Sequence, residues 1–205
     1  MQTLRYIIFA LLLIPIKSFA GIYELDFDFG YDRQNYGVNR QNSVVSRNYS
    51  YGFSLYLFDL TAIDLNVSNT SDITTQNDRY TVATGVDVIA QQNRVQTDVY
   101  GVSLKQMLTG RGSRIVPTIS LGYAREFVTS SGDITVENTI TKAQTVFNLT
   151  ESKQRYNSVF GSFALQIKLT ERFSLKASVR TLFPAFELNK AKDNLKYLAG
   201  FSWIF

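Results

Sequence analysis

From Gly21 to Phe205 the chain alternates apolar and polar side chains with period two, and no uninterrupted apolar run approaches helix-spanning length. Successive side chains of a strand point to opposite faces, so each such segment predicts a strand with one greasy and one polar face. IYELDFDFGYD sets Tyr23, Leu25, Phe27, Phe29 and Tyr31 against Glu24, Asp26, Asp28, Gly30 and Asp32. NYSYGFSLYLF sets Tyr49, Tyr51, Phe53, Leu55 and Leu57 against Ser50, Gly52, Ser54 and Tyr56. IDLNVSN, DVYGVSLKQML, RIVPTISLGYA, FGSFALQIKL and RFSLKASVRTLF repeat the pattern, and the closing YLAGFSWIF brings the count to eight.

The connections alternate in length. Short joins at Asp59 to Ala62, Thr109 to Ser113 and Thr170 to Arg172 interleave with long polar stretches at 34–44, 70–94, 130–155 and 184–194. An even number of strands, short turns on one rim and long loops on the other predict an all-β fold: a closed, eight-stranded, antiparallel, up-and-down transmembrane barrel. A closed barrel also lets a chain end be a strand, because the last strand must pair with the first. Both chain ends then fall on the short-turn side. A soluble carrier barrel would require the aromatic face inside and the charged face outside, which the loop asymmetry disfavours.

Ahead of the barrel, residues 1–20 read as a cleaved secretory leader. Arg5 opens it, Tyr6 to Ile16 is apolar but for Pro15, and Ser18-Phe19-Ala20 is a small-x-small cleavage site before Gly21. The barrel domain is then 21–205. The chain has 21 basic and 17 acidic residues, two of the basic ones in the leader, so the mature formal charge is +2. That charge is too weak to argue for nucleic acid as a partner. Cysteine and histidine are both absent. Stability cannot rest on disulfides, and a Ser-His-Asp triad, a Cys-His pair and tight transition-metal sites are excluded or improbable. No cofactor is expected, and the chain reads as non-enzymatic.

An eight-stranded barrel has an interior just wide enough for side chains to fill. Parity turns the carboxylates of Glu24, Asp26, Asp28 and Asp32 into that interior, along with Lys105, Lys168, Lys176, Arg180 and Lys196. Buried charges must pair, so these residues predict a salt-bridged plug rather than paired catalytic carboxylates. Antiparallel pairing of the end strands puts Lys196 near Asp32, with Glu24 and Asp26 facing Lys105, Lys168 and Lys176. The same charges would alternatively line a narrow path for ions or small solutes. On the lipid side, Tyr23, Trp203 and Phe205 fit one aromatic girdle, and Tyr31, Tyr49, Tyr51 and Tyr123 the other. TGRGS at 109–113 reads as a turn, lacking the Gly-Lys-Ser/Thr of a phosphate-binding loop.

The leader, the eight amphipathic strands and the terminal strand ending in Phe205 together resemble the small bacterial outer-membrane β-barrels, the OmpA-, OmpX- and OmpW-like proteins. The resemblance covers the whole mature chain. It implies a Gram-negative outer membrane, contact with its lipid, and both chain ends in the periplasm. It also implies that Tyr197, Phe201, Trp203 and Phe205 form the signal read by the barrel-insertion machinery. OmpW-like relatives suggest the porin-like channel as an alternative function. Lipid-modifying barrel enzymes, which rely on histidine, fit least. The β-branched residues within 70–94 and 130–155 predict strands that continue beyond the membrane as protruding hairpins. Such surface loops serve shielding, or capture of an extracellular partner.

Overall fold

The computed structural model describes residues 21–184 and 195–205. The expected leader, residues 1–20, and most of the last long connection lie outside the described residues. Among the described residues nine strands follow in order: β1 Ile22–Tyr36, β2 Asn42–Tyr56, β3 Thr61–Gln76, β4 Tyr80–Ala83, β5 Val86–Met107, β6 Ile115–Asn138, β7 Gln144–Lys168, β8 Phe173–Pro184 and β9 Leu195–Ile204. Each of β1–β3 and β5–β9 pairs antiparallel with its neighbours, and a β3–β5 pairing closes the circle. These eight make the barrel; the short β4 pairs only with β5, at the long-loop end.

The first and last strands meet as the alternation requires. Glu24 to Phe29 pair with Ile204 to Ala199, and the Phe205 amide donates to the Tyr23 carbonyl at 2.8 Å. On the outer face Leu25, Phe29, Tyr51, Leu65, Val102, Leu121, Phe163 and Leu175 are all exposed. So continuous an apolar exterior does not suit water, whereas lipid covers it at no cost. Around the β8–β9–β1 seam the rings of Phe173, Phe201 and Phe27 stand 5.8 and 5.3 Å apart, and Trp203 lies 5.9 Å from Phe173.

Several strands run well past the segments that alternate most clearly. β6 and β7 pair as far as Glu137 with Gln144, and β5 pairs with β6 from Met107 back to Val86. The segments 70–94 and 130–155 are therefore mostly strand, rising beyond the greasy belt as hairpins, because Thr, Val and Ile favour the pleated conformation. The connection at 34–44 is shorter than its polarity suggests: β1 reaches Tyr36 and β2 starts at Asn42. At the opposite rim, Ser113 N–H bonds the Gly110 carbonyl at 3.0 Å, so TGRGS is a turn.

Candidate functional site in the barrel lumen

The floor of the lumen is apolar. Tyr56, Ala62, Met107 and Val116 are buried together near the short turns. The Arg111 guanidinium lies over the Tyr56 ring at 4.3 Å, and its Nε donates to the Asp59 carbonyl at 2.6 Å.

Above that floor sits a charged neck. Lys105 from β5 donates through Nζ to Glu24 Oε2 at 2.9 Å, to Asp26 Oδ2 at 2.7 Å and to Ser54 Oγ at 3.2 Å. Glu24 also accepts from Tyr56 Oη at 2.5 Å and from Gln166 Nε2 at 2.7 Å. Lys176 from β8 lies 3.2 Å from Asp26 Oδ1 and donates to Asp28 Oδ2 at 2.9 Å. Two ammoniums thus serve three carboxylates of β1, and Asp26 lies between them. Glu24 is 0% exposed and Lys105 4%, so water cannot screen these charges and mutual pairing must compensate their desolvation. Asp64 joins from β3, accepting from Ser54 Oγ at 2.9 Å and Ser103 Oγ at 3.2 Å.

Backbone spacing makes the crossing possible. Gly200 of β9 pairs with Asp28 on one side and Lys176 on the other. A Cβ there would stand 1.9 Å from the Phe27 carbonyl oxygen and 2.7 Å from Asp28 Oδ1. Glycine clears the floor over which the two charges meet.

Higher up, the partners change. Arg180 Nη1 donates to Ser50 Oγ at 3.0 Å and Asn66 Oδ1 at 2.9 Å, and its guanidinium faces the Phe160 ring at 5.7 Å. Lys196 Nζ donates to Thr70 Oγ1 at 2.9 Å. Between these levels, the neck itself leaves a cavity of only about 20 Å³, among Asp26, Asp64, Lys105, Lys176 and Arg180. That is about enough for one water. Above Arg180 the lumen widens into a vestibule of about 310 Å³, lined by Asp72, Glu126, Arg180 and Lys196 among others.

One of the expected placements is corrected. Lys168 does not join the ring facing Glu24 and Asp26; its Nζ bonds the Arg111 carbonyl at the short-turn rim. It lies too near the end of β7 to reach the neck. Lys196 does lie near Asp32, the two lining one recess, but no ion pair joins them among the described residues. Its hydrogen bond goes to Thr70, while Asp32 Oδ2 accepts from Gln34 Nε2 at 2.9 Å. Strand tilt in a barrel separates residues that parity alone places together. Tyr56 and Gln166 complete the Glu24 shell and were not foreseen as partners, because neither carries charge. Tyr197, Phe201, Trp203 and Phe205 are exposed on the outer wall.

A second polar cluster, at the loop end, has no counterpart among the expected residues. Arg79 Nε donates to Asp87 Oδ2 at 2.7 Å and Nη2 to Glu137 Oε1 at 2.5 Å. Thr81 Oγ1 adds a bond to Asp87 at 2.7 Å. The Arg79 hydrogen bonds hold both carboxyls below the usual carboxylate range. The cluster clasps the segment before β4 to the β5 and β6 tips.

A closed eight-stranded barrel with a greasy wall and a charge-filled lumen has the fold of the small outer-membrane barrels. No family model and no curated protein matches the chain. Among solved structures, the outer membrane protein OprG of Pseudomonas aeruginosa is similar at 13% identity and a TM-score of 0.50, over 90% of this chain and 95% of that one. The N-terminal β-barrel domain of OprF, from the same organism, is similar at 14% identity and a TM-score of 0.46, over 90% and 97%. Neisserial surface protein A follows at 11% identity and a TM-score of 0.44, over 91% and 97%.

Proposed function

We propose that the protein is an integral outer-membrane barrel with a structural or surface-interaction role and no catalytic activity. Both chain ends face the periplasm and the long hairpins of 70–94 and 130–155 face outward. The observation that carries this reading is the neck: Lys105 and Lys176 engage Glu24, Asp26 and Asp28 at 2.7–3.2 Å. Carboxylates committed to buried ion pairs are poorly placed for acid–base chemistry, and a lumen filled by such pairs passes no solute. The terminal aromatics Tyr197, Phe201, Trp203 and Phe205 serve the insertion machinery during assembly, and outer-membrane lipid surrounds the finished wall.

Planar-bilayer conductance of residues 21–205 tests the closed lumen. A silent barrel, with insertion proved by protease protection, is expected. Stable unitary steps would favour the second reading, a narrow channel for ions or small solutes. That reading draws on the vestibule above Arg180, and needs both the neck and the apolar floor of Tyr56, Met107 and Val116 beneath it to part. Asp26→Ala or Lys176→Ala should lower the unfolding temperature or open conductance; a change in neither would defeat the plug.

A further inference from the structure

The outer face of β6 runs Leu121, Tyr123, Arg125, Phe127 toward the long-loop end, so the greasy belt gives way to charge at Arg125. Arg155 of β7 lies directly across from Phe127. The guanidiniums of Arg125 and Arg155 each stand 5.6 Å from the centroid of the Phe127 ring, which Tyr100 meets edge-on at 5.9 Å. Both arginines are exposed, and neither forms a salt bridge among the described residues. Asp98, the other cross-strand neighbour of Phe127, is held by Asn69 Nδ2 at 2.6 Å. Two forked donors are therefore fixed over one ring, with no carboxylate drawn onto them.

Directly below, toward the belt, the wall is hollowed. A groove of about 360 Å³ is lined by Leu65, Val67, Tyr100, Val102, Tyr123 and Arg125 among others. Val67, Tyr100 and Arg125 form one cross-strand row, and Leu65, Val102 and Tyr123 form the row beneath. The small Val102 lies low between Tyr100 and Tyr123, with Val67 beyond Tyr100. The result is an apolar trough that opens at one end on a guanidinium.

We propose that this trough and the arginine pair bind a net-anionic membrane lipid whose head group ends in a phosphomonoester, in preference to a zwitterionic phosphodiester lipid. The phosphate accepts hydrogen bonds from Arg125 and Arg155, whose forked N–H groups match its oxygens. One acyl chain runs from Arg125 down the trough over Val102, flanked by Tyr100 and Tyr123. Charge complementarity and height on the wall select this occupant: the donors stand one residue pair beyond the greasy belt, at the level where head groups begin. The site rests on the membrane-spanning reading above.

The test uses residues 21–205 refolded into phosphatidylcholine vesicles carrying a trace of spin-labelled phosphatidic acid or spin-labelled phosphatidylcholine. The wild-type barrel should immobilise the phosphatidic acid with about thirtyfold preference, as expected for two surface arginines. R125Q/R155Q should abolish that preference. V102W, which fills the trough without changing charge, should abolish it as well. Equal immobilisation of both lipids by wild type, or a preference untouched by V102W, would overturn the proposal. Displacement by millimolar inorganic phosphate would also overturn it, since the site would then take a soluble anion. Digestion of the barrel strands by added protease would instead overturn the membrane-spanning reading on which the site rests.

Discussion

The neck and the vestibule are walled by the same strands, yet they treat charge in opposite ways. In the neck, ammonium meets carboxylate at 2.7–3.2 Å and the free space is about 20 Å³. In the vestibule, Arg180 and Lys196 bond neutral Ser50, Asn66 and Thr70, and the space is about 310 Å³. In the neck an opposite charge offsets the desolvation of each ammonium; in the vestibule the hydrogen bonds of Arg180 and Lys196 go to buried neutral hydroxyl and amide groups. The lumen is therefore an ion-paired lock below a roomier antechamber, and substitutions on the two levels should behave differently.

Lys105→Met should have the largest effect. It leaves Glu24 and half of Asp26 without a cation in a dry site, at a cost of about 3–5 kcal/mol. The urea midpoint of the gel-mobility shift should fall accordingly, and adding Glu24→Gln and Asp26→Asn should restore most of it. Failure of that rescue would mean that packing, not charge, sets the cost. Gly200→Ala comes next. Its methyl group would collide with the Phe27 carbonyl and crowd the Asp28–Lys176 bridge, costing about 1–3 kcal/mol as over-packing does. The same midpoint reads it, and an unchanged value would show that β9 can shift to make room.

Lys196→Met, in the vestibule, should cost only about 1 kcal/mol by the same midpoint, since it removes one hydrogen bond to the Thr70 hydroxyl, which Asn48 Nδ2 still engages, and breaks no ion pair. A loss as large as that of Lys105→Met would erase the distinction between the two levels. The smallest effect is local and lies at the loop end. Because the Arg79 bonds depress the carboxyls of Asp87 and Glu137, the stability they add is fully present above the ordinary carboxylate range. It is lost as pH falls through their lowered values, that is, below about pH 4. Amide exchange at Val86 to Val88 should rise there while exchange in the neck strands stays slow. Exchange independent of pH after correction for chemistry would count against the clasp.

The barrel itself was legible because a strand half in lipid cannot hide its period: Tyr23 to Tyr31 and Tyr197 to Phe205 each show it without reference to anything distant. The partners of the lumen charges were not legible in the same way. Parity turns Lys105, Lys168 and Lys196 to one face, but which carboxylate each meets depends on register and tilt, set by all eight strands together. So Lys168 goes to a turn carbonyl and Lys196 to Thr70. Tyr56 and Gln166 were hidden by lack of charge, and the Arg79 clasp by distance, since Arg79 and Glu137 meet only when β4 folds onto β5. Proteins of this size reveal periodicity locally and partnership only globally.

The neck has a consequence for the order of events during synthesis. All three of its acidic partners sit on β1, whereas the cations that satisfy them lie 79 and 148 positions later for the Asp26–Lys105 and Asp28–Lys176 bonds. The strand that emerges first is thus the one whose needs are met last, once β8 and the glycine of β9 are in place. Contacts so far apart along the chain form slowly. A chain truncated after residue 168 should accordingly fail to protect β1 from protease in vesicles, even though β1 through β7 are complete. On this account crossing the bilayer and closing the ring should be one event, because an unfinished ring would carry unpaired charge into oil.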